Sequence, residues 1–206
     1  MKLTKILMLA LLVAIPTWAS VIVEVPGPSS GGAGNRVFAA SWTQTGTYNN
    51  VSISADLFGI GTPGVTATAW LTTAIGGSAT IADQVATTAV TSNSLFSGLT
   101  LGPDTYFLVI SISSGSVQAG WSTTFSPAPT TAADVTIGGS FFGDFVVFPA
   151  FGPSGNFTAV SPSQLLYRVE SIADPAAVPE PTTLSLLGVA MVFMAAAHAR
   201  HRRARA

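Results

Sequence analysis

The sequence predicts an all-β chain whose body is a β-sandwich, jelly-roll-like in outline, and three observations carry that expectation. Apolar and polar residues alternate with period two in several short runs, which is the pattern of strands with one face buried. Clusters of Gly, Pro, Ser and Asp separate those runs at turn-like intervals. Thr and Ser are abundant within the runs, and β-branched side chains suit a pleated surface better than a helix. Eight or nine short strands divided in this way fit a sandwich.

Taken in order, "VIVEVPGPSSGGAG" at 21–34 opens as a short strand and dissolves into Pro, Gly and Ser, so residues 20–35 are expected to form a flexible lead. A strand is predicted over 37–43. In "YNNVSISADLF", Val51, Ile53, Ala55 and Leu57 share one face, opposed by Ser52, Ser54 and Asp56. "GVTATAWLTTA" repeats the pattern, with Val65, Ala67, Ala69 and Leu71 opposed by Thr66, Thr68, Trp70 and Thr72. "TIADQVATTAV" at 80–90 reads equally as a short helix or an edge strand. A strand follows over 94–101. In "TYFLVISISSG", Tyr106, Leu108, Ile110 and Ile112 alternate with Phe107, Val109 and Ser111; the run is apolar on both faces at first, which predicts a central strand. Further strands are expected at 117–124, 141–148, 157–160 and 165–170, with turns at "GTPG", "IGGS", "LGPD", "SSGS", "SPAPTT" and "FGPSGN". Together these place the sandwich domain at 36–172.

The segments outside the body read as targeting signals. Lys2 and Lys5, an apolar run from Ile6 to Ile15, and Pro16-Thr17-Trp18-Ala19 make a positive n-region, an h-region and a small-residue cleavage site. Residues 1–19 are therefore read as a signal peptide, cut by signal peptidase between Ala19 and Ser20. The apolar run is about half the roughly twenty residues that a membrane span needs.

Between Ser20 and Val178 the acids are Glu24, Asp56, Asp83, Asp104, Asp134, Asp144, Glu170 and Asp174, and the bases are Arg36 and Arg168, a net charge of −6. A body with no lysine and two arginines offers no basic patch for phosphates, which argues against nucleic acid as a partner. The chain has no cysteine, so neither disulfides nor thiolate chemistry contributes. Both histidines, His198 and His201, lie beyond the body. The body thus lacks the residues for Ser-His-Asp or Cys-His nucleophilic catalysis and for most zinc sites. Neither a metal nor a cofactor is expected, since no D-x-D-x-D-G calcium loop occurs and "GGAGNR" at 31–36 lacks the ending of a phosphate loop.

Two kinds of residue remain as candidates. Paired carboxylates, Asp144 with Asp104 or Glu170, would serve a glycosidic acid/base mechanism if they flanked one bond. Trp70, Trp42 and Trp121 would stack on sugar rings if exposed, and Trp70 lies opposite the apolar set of its strand. The expectation drawn is a non-enzymatic protein, with a secreted carbohydrate-active enzyme as the alternative.

The last thirty residues are more specific. Val178-Pro179-Glu180-Pro181 closes a linker at 173–181. "LSLLGVAMVFMAAAHA" then carries no acid, lysine or arginine, and a helix over 182–199 would be roughly 27 Å long, sufficient for a thin bilayer. Arg200, Arg202, Arg203 and Arg205 follow in a basic tail at 200–206, and basic flanks stay on the cytoplasmic side. The export signal independently places the body outside, so the two cues agree. The prolines fix φ and remove N–H donors, which holds Glu180 in an extended, accessible segment.

This ordered set of motif, span and arginine cluster resembles the PEP-CTERM sorting signal of exported bacterial proteins. The resemblance implies recognition by a membrane-embedded exosortase, a transpeptidase-like cysteine protease, with transient anchoring in the inner membrane and delivery to the cell surface or extracellular matrix. It also implies an organism that makes extracellular polysaccharide, a candidate contact for the body. A permanent single-span anchor is the alternative use of the same tail. "SLFSGLTLGPDTYFLVIS" loosely resembles the β-sandwich domains that accompany such tails, with Asp104 where Gly is commoner.

Overall fold

A computed structural model describes residues 19–29, 31–34, 36–114, 118–143 and 151–172, with the backbone alone described over 31–34 and at 114 and 172. Fifteen strands run in chain order: β1 (Ala19–Val25), β2 (Gly31–Gly34), β3 (Val37–Gln44), β4 (Tyr48–Ala55), β5 (Leu57–Phe58), β6 (Val65–Thr72), β7 (Gln84–Ala89), β8 (Ser94–Leu101), β9 (Asp104–Ser114), β10 (Gly120–Thr124), β11 (Thr130–Thr131), β12 (Val135–Gly143), β13 (Phe157–Val160), β14 (Gln164–Leu165) and β15 (Tyr167–Ile172). Short 3-10 helices occupy Ile81–Asp83 and Gly152–Ser154.

All pairings are antiparallel. One sheet has the order β11-β1-β15-β4-β8, a second β13-β12-β3-β9-β6-β7, and a small third one β14-β10-β2, with β5 also on β10. The sheets bury one continuous apolar core. Ile22 and Val25 of β1, Val51 and Ile53 of β4 and Val169 of β15 meet Phe38 and Trp42 of β3, Leu71 of β6, and Leu108, Ile110 and Ile112 of β9. The fold is thus all-β and sandwich-like, as period-two alternation predicts.

The face assignments of two predicted strands reappear in three dimensions. Tyr106, Leu108, Ile110 and Ile112 enter the main core, whereas Phe107 and Val109 face the other way, and β9 is interior between β3 and β6. Ala69 and Leu71 likewise point inward, with Trp70 on the outer face. The ambiguous stretch at 80–90 resolves into a 3-10 turn followed by an edge strand, Thr80 and Asp83 exchanging the bonds of a capping box.

Two expectations need correction. Residues 20–35 are not simply a flexible lead, because β1 lies inside the five-stranded sheet between β11 and β15, with Ile22 and Val23 fully buried. The five apolar residues of "ASVIVEV" outweigh the Pro-Gly run that follows; that run breaks the strand only at Pro26. The strand expected at 141–148 begins earlier, at Val135, since the irregularity between Ile137 and Ser140 against β3 absorbs Gly138 and Gly139. Residues 144–148 of that prediction lie outside the described residues.

A second, smaller apolar layer covers the outer face of the six-stranded sheet. Val37, Ala39, Trp70 and Val109 are buried there beneath Ile75, Phe107, Phe141, Phe151 and Phe157. The 3-10 turn at Gly152 seals it, with the Gly76 N–H donating to the Pro153 carbonyl at 2.8 Å. A Cβ on Gly152 would lie 2.6 Å from the Trp70 ring, so only glycine lets the backbone approach so closely.

Candidate functional site

The tryptophans expected to stack on sugar are internal. Trp42 and Trp121 are 0% exposed and Trp70 8%, so a ring ligand has no face to reach on the first two, and the Gly152 turn covers the third. Trp42 lies between Tyr106 and Tyr167, with ring centroids 5.7 and 5.9 Å away. Its indole N–H donates to the Gln44 Oε1 at 3.1 Å, and that of Trp121 donates to the Leu166 carbonyl at 2.7 Å. Each buried indole thus has an internal partner, which is what makes the burial tolerable. Sequence alternation cannot show this for Trp42, because β3 is covered on both faces and nearly every residue in it is buried.

The carboxylates considered for acid/base work do not converge. Asp104 begins β9 in the six-stranded sheet, its carboxylate accepting from the Thr105 N–H at 2.7 Å. Glu170 belongs to β15 of the five-stranded sheet and holds Arg168 at 2.9 Å. Asp144 lies outside the described residues. Among the described residues no group of His, Asp or Glu is arranged to hold a metal ion.

What the fold does assemble is a groove of mixed lining, with polar side chains set among apolar ones, at one end of the five-stranded sheet. There β1 and β4 end and β15 begins, in the aligned rows Glu24, Arg168, Ser54 and then Val25, Tyr167, Ala55. The groove holds about 300 Å³ and is lined by Glu24, Pro26, Ser54, Asp56, Asn93 and Arg168, among others. Arg168 bridges two acids, Glu170 at 2.9 Å and Glu24 at 3.7 Å, all three side chains partly exposed. Asn93 is fixed by its backbone carbonyl and its Oδ1, which accept from the N–H groups of Ala55 and Leu57 at 3.0 and 3.2 Å. Buried Leu166 and Tyr167 form the floor, and the Tyr167 hydroxyl donates to the Ser41 carbonyl at 3.1 Å. Burial pushes that phenol's pKa up, so it is a fixed structural donor rather than a titrating group.

Carboxylates, an amide, a hydroxyl and a guanidinium around an open concavity can hydrogen-bond a neutral polyhydroxy compound. Sequence reading missed this set because its members come from positions 24, 54, 56, 93 and 168, with no common motif. The sole available signal was the scarcity of bases, which makes Arg168 conspicuous.

The signal-peptidase residues fall at the other end of the same sheet. Ala19 and Ser20 are exposed and open β1, pairing with Ile172 and Ser171 of β15. Removal of Ala19 and everything before it leaves the strand intact from Ser20 onward. The body's first and last strands therefore meet at one end, and the groove lies at the opposite one. Val178, Pro179, Glu180 and Pro181, the expected span at 182–199, and Arg200, Arg202, Arg203 and Arg205 lie outside the described residues. Among the described residues no helix is long and apolar enough to cross a membrane.

In comparison with known families, residues 177–203 fit the model of the PEP-CTERM protein-sorting motif. No curated protein and no solved structure matches the chain. The match covers the motif, the apolar run and the first three of the four tail arginines. It supports an exported protein that is sorted by exosortase through transient membrane association toward the cell surface.

Proposed function

We propose, from the premise that the chain carries a PEP-CTERM sorting motif, that its body is a non-enzymatic surface or extracellular-matrix protein that contacts extracellular polysaccharide. The observation that carries this reading is the polarity of the five-stranded sheet. The ends that lead to the export signal and to the sorting motif meet at Ala19 and Ile172, and the groove with its polar side chains opens at the far end. The groove offers polar edges, and the aromatic in its floor, Tyr167, is buried, which suits hydroxyl-rich polymer held by hydrogen bonds and not by stacking.

Sorting proceeds in this reading through the segment after Ile172. Seven residues separate Ile172 from Glu180, a reach of roughly 25 Å when extended, which lets a membrane-embedded protease reach the motif while the sandwich remains folded. Signal peptidase cuts at Ala19, exosortase cuts near Pro179-Glu180-Pro181, and the arginines stay on the cytoplasmic side with the discarded span.

The experiment compares intact mass and location of wild type and Glu180→Ala in the native host. Surface protein that begins at Ser20 and ends near Pro181, with Glu180→Ala retained in the membrane at its uncut mass, is the expected result. Surface protein that keeps residues beyond 181, at wild-type mass in both forms, would establish the permanent-anchor alternative instead. Loss of a polysaccharide substrate in the presence of the purified body, abolished by Glu170→Gln or Asp104→Asn, would replace the non-enzymatic reading with the carbohydrate-active one.

A further inference from the structure

The six-stranded sheet ends on β7, and among the described residues β7 has no neighbour on its outer side. Such an edge presents unpaired main-chain groups, and proteins commonly blunt it with charge, proline, bulges or brevity. The other edges of the two larger sheets are blunted. β11 is two residues long and follows Pro127 and Pro129, and β13 is four residues long between Pro153 and Pro162. β8 carries three register irregularities against β4 and a left-handed Gly98 at φ 71°.

β7 has a single bulge, at Val85, where the pairing with β6 steps from Thr72–Gln84 to Leu71–Ala86. From Ala86 to Ala89 it is regular. The Val90 N–H donates to the Ala67 carbonyl at 2.9 Å. By the alternation of an antiparallel ladder, Thr88 and Ala86 are then the residues bonded to β6. The N–H and C=O groups of Thr87 and Ala89 are therefore turned to the open side. Two of the three exposed large apolar side chains among the described residues flank this edge, Ile81 at 69% and Val85 at 42%.

Charge selects the occupant. No charged residue occurs between Asp83 and Asp104, a stretch that includes β7 and the adjacent β8, in a body of net charge −6. Two copies meeting through surfaces that carry Glu24, Glu170 or Asp104 would bring acids together, whereas at this edge identical surfaces approach without desolvating a carboxylate. We propose that β7 is a self-association edge, where a second copy adds antiparallel about a two-fold axis near Thr88 and continues the six-stranded sheet across both bodies. Thr87 of one copy faces Ala89 of the other, and the reciprocal pair makes roughly four main-chain hydrogen bonds, with the Val85 side chains packing at the rim. A strand-edge contact of this size falls below about 1,200 Å² of buried surface, so the dimer is weak and reversible. It gains weight where copies are concentrated on a surface.

The test is sedimentation velocity of the processed protein released from the host surface, from about 1 μM to about 1 mM, for wild type, Thr87→Lys, Ala89→Lys and Thr62→Lys. Thr62 is an exposed turn residue outside β7. Expected are a concentration-dependent monomer–dimer shift for wild type and for Thr62→Lys, and at least a tenfold weaker dimer for Thr87→Lys and Ala89→Lys, with unchanged circular dichroism. A wild type monomeric throughout the range would overturn the proposal, as it would if another segment of the chain covers β7. Equal association of the two edge variants and wild type would also overturn it. So would equal loss in all three lysine variants, because that marks a net-charge effect and not an edge.

Discussion

Gln44 is the most consequential buried polar residue of the sandwich, and replacing it tests the packing account directly. Its side chain is 1% exposed. The Oε1 accepts from the Trp42 indole N–H at 3.1 Å, and the Nε2 reaches the carbonyls of Leu101, Gly102 and Gly46 at 3.1, 3.1 and 3.2 Å. The amide therefore ties the end of β3 to the turn between β8 and β9. Gln44→Leu keeps the volume and removes every partner. Gly46 and Gly102 are partly exposed, so water replaces the amide at their carbonyls, but Trp42 is 0% and Leu101 1% exposed. Two buried groups are left unsatisfied, each costing about 1–3 kcal/mol, which gives a loss of about 3–4 kcal/mol. For a domain of this size the melting temperature falls by about 10 °C. Urea titration followed by circular dichroism measures the loss. A double-mutant cycle with Trp42→Phe isolates the indole bond, with an expected coupling of about 1–2 kcal/mol. A loss below about 1 kcal/mol, or strict additivity of the two changes, would refute the claim that this amide satisfies otherwise orphaned groups.

Tyr48 donates its hydroxyl hydrogen bond to Asp134, and its pKa is raised from 10.0 to about 12 by desolvation first, then by that bond and by the carboxylate's charge. Because the folded value is raised, the contribution to stability is complete below pH 10 and is lost as pH climbs toward 12. Tyr48→Phe should cost about 1 kcal/mol at pH 8, and the gap to wild type should narrow between pH 10 and 12 in denaturant titrations. Gly152→Ala forces a methyl against the Trp70 ring and should cost about 1–3 kcal/mol in thermal melts; a neutral result would show that the turn does not pack as described. Arg168→Ala removes the cation of the groove while breaking only partly exposed ion pairs, so stability should change by about 1 kcal/mol or less. Its retention on polysaccharide from the producing organism should fall at least tenfold, and unchanged retention would exclude the groove as the contact.

Much of the strand inventory was legible because a half-buried strand writes its period into the sequence. β4, β6 and β9 show it, and their inward sets are in the core. Legibility failed where a strand is covered on both faces. β3 is buried almost throughout, so Trp42 and the outward Ala39 look alike in sequence, and no local pattern says that the one joins the main core and the other the second layer. At β1 the short strand itself was legible, but its place beside β15, nearly 150 residues away, was not. The groove was invisible for the same reason, being a row across three strands.

Local sequence alone carried the address: the motif at 178–181, the apolar run and the arginines are read in linear order by a processing enzyme, and linear order is what a sequence contains. Tertiary structure alone decided the rest. Pairing of β1 with β15 brought the two ends of the body to one side. The two-layer packing put every described tryptophan inside, and the sheet order left β7 as an open, uncharged edge. These are consequences of contacts between residues distant along the chain, and a one-dimensional pattern records none of them.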